Sequence, residues 1–148
     1  LWDYYCMRKE LMKKRAGGGD PNEVSVWHGT RSTDPRVIYE DRQDGFMMQY
    51  SAQGMWGRGL YFAENASYSN NYANTNHAGG GGQKTFLLAK LLSGEEVHLP
   101  SDQTLKVCPD KPAGGRYDTV TGTTGGSKVY IVYENGRAYP EYLVTYRT

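Results

Sequence analysis

Short strands between glycine- and proline-rich turns, with few helical stretches, predict an α+β fold of mostly antiparallel sheets with few short helices. Three observations carry that expectation. Glycine supplies 19 of 148 residues, near twice its usual share of about 7%. Brief apolar runs such as Phe86 to Leu92 and Val129 to Tyr133 are bounded by turn residues, as strands are. Strands do not alternate with long helices, which argues against a doubly wound nucleotide-binding sheet.

Each element follows from its local pattern. Leu1 to Arg15 reads as an amphipathic helix, with Leu1, Tyr4 or Tyr5, Leu11 and Met12 near helical spacing. Lys13, Lys14 and Arg15 complement the dipole at its end, Gly17-Gly18-Gly19 stops it, and Asp20-Pro21-Asn22 turns. Glu23 to Trp27 alternates as a short strand. Thr30 to Phe46 is polar and turn-rich, and Gly57 to Phe62 brings the chain into a second strand. Glu64 to Ala73 reads as a short helix capped by Asn65. Ala78 to Gly82 is a connector, since it lacks the lysine and hydroxyl residue that follow a phosphate-cradling loop. Thr85 to Leu92 forms a strand, and a long loop runs to about Ser127. Val129 to Tyr133 and Tyr142 to Tyr146 then read as a hairpin turning through Asn135-Gly136.

Length suits one domain over residues 1–148, and Leu1 in place of methionine suggests a chain that begins inside a longer protein. With 17 basic and 16 acidic residues and no long run of one sign, direct nucleic-acid binding is not expected. No apolar run approaches the roughly 18 residues of a membrane span. Cys6 and Cys108 stand apart and read as reduced thiols of an intracellular protein, cytoplasmic or nuclear. His28, His77 and His98 lack any ligand spacing, so no metal is expected.

Three segments carry candidate chemistry. His28-Gly29-Thr30 leaves the end of a strand, and Gly29 lets a ligand approach the backbone. Ser69 and Tyr72 share one helix face, and Tyr61 precedes them from a strand, so two rings and a hydroxyl can meet in one pocket. Tyr61 and Tyr72 would equally serve as core aromatics. The third segment, Val129-Tyr130-Ile131-Val132-Tyr133-Glu134 with Tyr139-Pro140-Glu141-Tyr142-Leu143, is by itself a pair of core strands.

In order and composition, H-G-T at 28–30, G-R-G-L-Y-F-A-E-N-A-S-Y-S-N-N-Y-A at 57–73 and Y-P-E-Y-L at 139–143 resemble the poly(ADP-ribose) polymerase catalytic domain. The resemblance runs from about Trp2 to Tyr146, with the family's first strand absent. It implies the ADP-ribosyltransferase fold around an NAD cleft, with NAD as co-substrate and an acceptor protein as partner. It also assigns roles. His28 would bond a ribose hydroxyl, and Gly29 and Ser69 would hold the nicotinamide carboxamide. Tyr61 and Tyr72 would flank the ring, and Thr30 and Asp34 would lie near the adenosine ribose. Val129 falls where polymerases carry the glutamate that serves chain elongation. Valine can neither accept a hydrogen bond nor take a proton, which implies transfer of single ADP-ribose units. An inactive NAD- or ADP-ribose-binding module is the alternative. Glu134 and Glu141 are poor substitutes: an odd step along a strand turns Glu134 away from Val129's face, and Glu141 follows a turn.

Overall fold

A computed structural model describes residues 1–16, 18–41, 45–73 and 83–147. The expected connector at Ala78 to Gly82 and His77 lie outside the described residues. Helix α1 (Trp2–Arg15) is built in its second part, from Met7 on, of strong helix formers, Lys, Leu, Met, Glu and Arg. It ends at Ala16, and Gly18 (φ 84°) turns the chain left-handed, its N–H donating to the Lys13 carbonyl at 2.8 Å. The apolar stripe is narrower than the spacing suggested: Tyr5 and Met12 are buried, but Leu11 is exposed. Trp2 packs edge-on against Tyr139 at 4.7 Å, and ionic links add to the docking, Arg8 to Glu134 at 2.6 Å and Arg15 to Asp118 at 3.1 Å.

Strand β1 (Glu23–His28) leads to a short helix α2 (Arg36–Tyr39), a 3-10 turn (Met48–Tyr50) and β2 (Ala52–Gly54). Then come β3 (Gly57–Ala63), α3 (Ala66–Ser69), a second 3-10 turn (Asn70–Tyr72) and β4 (Gln83–Leu92). The remainder holds β5 (Glu96–His98), β6 (Thr119–Thr124), β7 (Ser127–Val132) and β8 (Ala138–Arg147). The sheet runs β5-β6-β7-β3-β1-β4-β8, with β2 on the first half of β3. Every pairing between these strands is antiparallel except β5 with β6.

Three expectations need correction. The long loop before Ser127 contains β5 and β6. β6 escapes a hydropathy reading because it is Thr-Val-Thr-Gly-Thr-Thr. Its threonines tolerate burial by bonding: the Thr119 hydroxyl donates to the Ser93 carbonyl at 2.7 Å. β7 and β8 are not a hairpin, since β7 lies between β3 and β6 while β8 pairs with β4 on the far side. Their connection carries Arg137, 2% exposed, whose guanidinium donates to the carbonyls of Leu92, Ser93 and Asp118. Glu141 therefore sits within β8, beside the register shift opposite Leu88 and Ala89, rather than beyond a turn. Asn65 begins α3, but its side chain makes no capping bond.

What positions the site is a split in the sheet. β1 runs along β4 for its whole length, yet meets β3 only at Trp27 opposite Ala63. Beyond that pair the strands diverge. One apolar cluster (Val26, Phe46, Phe62, Leu87, Leu91) fills one side of the sheet. A second (Trp56, Val120, Val129, Ile131) fills the other, since neighbours in β7 alternate between the two.

Candidate active site

The split opens into a cavity of about 300 Å³. β1 delivers His28 and then Gly29 and Thr30 to its wall, β3 delivers Tyr61, and α3 with its following turn delivers Tyr68, Ser69 and Tyr72. Segments far apart in sequence are joined tightly here. The Arg31 N–H donates to the Tyr72 carbonyl at 2.7 Å. A Cβ on Gly29 would stand 2.8 Å from the Tyr72 Cβ, so only glycine allows this approach.

His28 bridges the split, its Nδ1 lying 2.7 Å from the Tyr61 carbonyl oxygen. A carbonyl only accepts, so Nδ1 carries the proton and Nε2 keeps a lone pair. The ring packs edge-on against Phe46 at 5.1 Å and tilted against Phe62 at 5.2 Å. Burial pushes its pKa down to about 4, and the Tyr61 carbonyl opposes this only in part. The imidazole is therefore neutral near pH 7.

Tyr61 is fixed at its tip: the hydroxyl donates to the Gly57 carbonyl at 2.7 Å and accepts from the Trp56 N–H at 2.9 Å. Burial raises its pKa and keeps it protonated. Gly54 of β2 abuts it, since a Cβ there would lie 2.6 Å from Tyr61 Cζ. The Tyr72 ring meets Tyr68 at 5.4 Å with an interplanar angle of 53°, their hydroxyls 3.3 Å apart. The Arg31 guanidinium lies over the Tyr72 ring, 4.5 Å from its centroid. Ser69 is buried on the same wall. The Thr30 hydroxyl is turned to the Thr33 carbonyl at 2.7 Å.

The cavity thus brings together His28, Gly29, Thr30, Tyr61, Ser69 and Tyr72. It does not bring in Asp34 or Val129. The Asp34 carboxylate accepts from the Arg36 side chain at 2.8 Å and from the Arg36 N–H at 3.0 Å, holding the start of α2. Val129, 1% exposed, lies behind the wall, in the apolar cluster on which Tyr61 and Tyr68 pack. Glu134 pairs with Arg8 and Arg137, and Glu141 lies 3.9 Å from Lys90, so neither reaches the cavity. Arg31, Gly54, Trp56 and Tyr68 are lining residues that sequence reasoning missed. Tyr68 had a signal, standing one helical turn before Tyr72, and Arg31 directly follows H-G-T. Among the described residues, no three His, Cys, Asp or Glu side chains cluster as metal ligands do, and no helix is long and apolar enough to cross a membrane.

Fold and cleft together define a sheet-rich α+β ligand-binding domain, its aromatic pocket set where one sheet divides. The chain belongs to the poly(ADP-ribose) polymerase catalytic domain family, whose sequence model matches residues 1–117. It is 36% identical, over 99% of its length, to a Dictyostelium discoideum protein named "Probable poly [ADP-ribose] polymerase". To the human protein mono-ADP-ribosyltransferases PARP14 and PARP12 it is 31% and 26% identical, over 99% and 100% of its length. The chain spans 41%, 8% and 20% of these three relatives, in that order.

Proposed function

We propose that this domain transfers single ADP-ribose units from NAD to side chains of an acceptor protein and releases nicotinamide. The observation that carries the reading is the convergence of His28, Gly29, Tyr61, Ser69 and Tyr72 on one cavity whose described lining includes no carboxylate. The cavity's volume is within the range of small-molecule sites.

In this reading the neutral His28 accepts a hydrogen bond from a ribose hydroxyl through Nε2. The Gly29 backbone and the Ser69 hydroxyl hold the carboxamide, and Tyr61 and Tyr72 flank the pyridinium ring. Tyr61 is held by two hydrogen bonds before any ligand arrives, which lowers the ordering cost of binding. The bond from C1′ of the ribose to the ring nitrogen breaks, its electron pair going to nitrogen, and positive charge develops on the ribose as in glycoside cleavage. With no carboxylate in the described lining to serve as general base, an acceptor carboxylate, already ionised near neutral pH, attacks C1′ through oxygen. Nicotinamide leaves neutral and an ester forms.

Incubation with labelled NAD, resolved by product length, tests this. Single-unit label released by hydroxylamine is the expected result. Long chains from the wild type refute the single-unit reading, and label that resists hydroxylamine refutes carboxylate acceptors. A second reading, an NAD-binding module without turnover, is favoured by the same lack of a carboxylate in the described lining. NAD binding with neither label transfer nor nicotinamide release would select it.

A further inference from the structure

We propose that Arg31 promotes nicotinamide departure: its guanidinium, held over Tyr72 at the cavity wall, disfavours a cationic ring beside that tyrosine relative to a neutral one. The inference rests on the reading above, in which Tyr72 flanks the pyridinium of NAD.

Arg31 is held where it is by backbone and side chain alike. Its φ of 55° lies in the left-handed region, which side-chain-bearing residues rarely adopt. Its N–H is bonded to the Tyr72 carbonyl, and its guanidinium carbon sits 4.5 Å from the centre of the same residue's ring. Arg31 also lines the cavity itself, and among the described lining residues it alone carries a permanent charge. The sheet split therefore holds a fixed positive charge on the tyrosine that would flank the leaving group.

That charge acts unequally along the reaction. In NAD the pyridinium is cationic. When its bond to C1′ breaks, the electron pair passes to the ring nitrogen and the ring becomes neutral. The positive charge moves to the ribose, where the acceptor carboxylate oxygen forms the new bond and cancels it. A cation nearer the ring than the ribose raises the starting state more than the transition state, which accelerates the step. Tyr72 transmits the same bias, because a ring face drawn toward one cation attracts a second less well. Arg31 is exposed, so water screens the field, and the expected effect is about threefold to fivefold.

The test compares two ligands that differ in ring charge: nicotinamide, and the pyridinium cation made by methylating its ring nitrogen. Affinities of both are measured calorimetrically for wild type, Arg31→Met, Arg31→Gln and Arg31→Lys. Methyl bulk is common to every variant, so the change in the affinity ratio reports charge. We expect the neutral ligand's advantage to shrink about threefold to fivefold in the Met and Gln variants and to persist in the Lys variant. Their single-turnover nicotinamide release should slow by a similar factor. An unchanged ratio in both neutral variants overturns the proposal and leaves Arg31 as a clamp on Tyr72. Failure of neutral nicotinamide to bind wild type sinks the NAD reading itself, a separate result, and takes this inference with it.

Discussion

Val129, set by the family resemblance at the third site position, does not line the cavity. It pairs with Ala63 across the strands and lies buried behind Tyr61 and Tyr68. A carboxylate there would enter an apolar cluster, not the cavity. Val129→Glu is therefore expected to cost about 2–4 kcal/mol of stability and to yield no chains. Thermal melting and product-length gels measure the two effects, and long polymer from this variant would contradict the geometry. His28 gives a pH prediction of definite sign. Its folded-state pKa, about 4, lies below the ordinary 6.5, so the unfolded chain binds the proton first. This group's contribution is complete above about pH 6.5 and is lost as pH falls toward about 4. NAD affinity should show no His28 step between about pH 6 and pH 8, and a His28→Ala variant should lose affinity and activity together. A binding step near pH 6.5 that vanishes in this variant would show that the imidazole titrates there.

Among the elements, the contact between the end of β1 and the turn after α3 matters most. Gly29→Ala places a methyl group against Tyr72 and should force the turn outward. The expected cost is about 1–3 kcal/mol, with NAD affinity falling more steeply than stability. Equal NAD affinity in wild type and variant would show that the approach is not needed. Arg137 is a second junction, tying the ends of β4 and β6 through the carbonyls of Leu92, Ser93 and Asp118. Arg137→Met should cost about 3–5 kcal/mol in chemical denaturation, and a loss under about 1 kcal/mol would contradict its role. Legibility in the sequence divides along the same lines. β1 and β4 were readable because apolar spacing follows burial, and α1 because its second half is rich in helix formers although Leu11 stays exposed. β6 was not, because hydrogen bonds rather than hydropathy settle its threonines inside. The false hairpin at Asn135-Gly136 has a physical cause too: the dipeptide supplies the positive φ of Gly136 (78°), yet Arg137 draws the chain toward β4 instead of back along β7.

At the scale of the molecule, the motifs located the pocket but not its walls. His28, Tyr61, Ser69 and Tyr72 were legible as a set because a family pattern fixed their order. Arg31 and Trp56 were not, since which face of a loop turns inward depends on strands that arrive later. A ligand bridging both lips of the split should stabilise the whole fold. NAD at a hundred times its dissociation constant would add about 2.7 kcal/mol, and an unshifted melting temperature would mean that no ligand holds the two halves.

The strand order carries one more consequence. The residues named on the pocket wall all precede residue 73, but β3, which carries Tyr61, is flanked by β7, made of residues 127–132. During synthesis, a nascent chain would expose the described residues of the pocket wall long before their shared scaffold leaves the ribosome. Competence to bind should then switch on late and abruptly, and fragments ending near residue 118 should be blind to NAD although they keep all the described pocket residues.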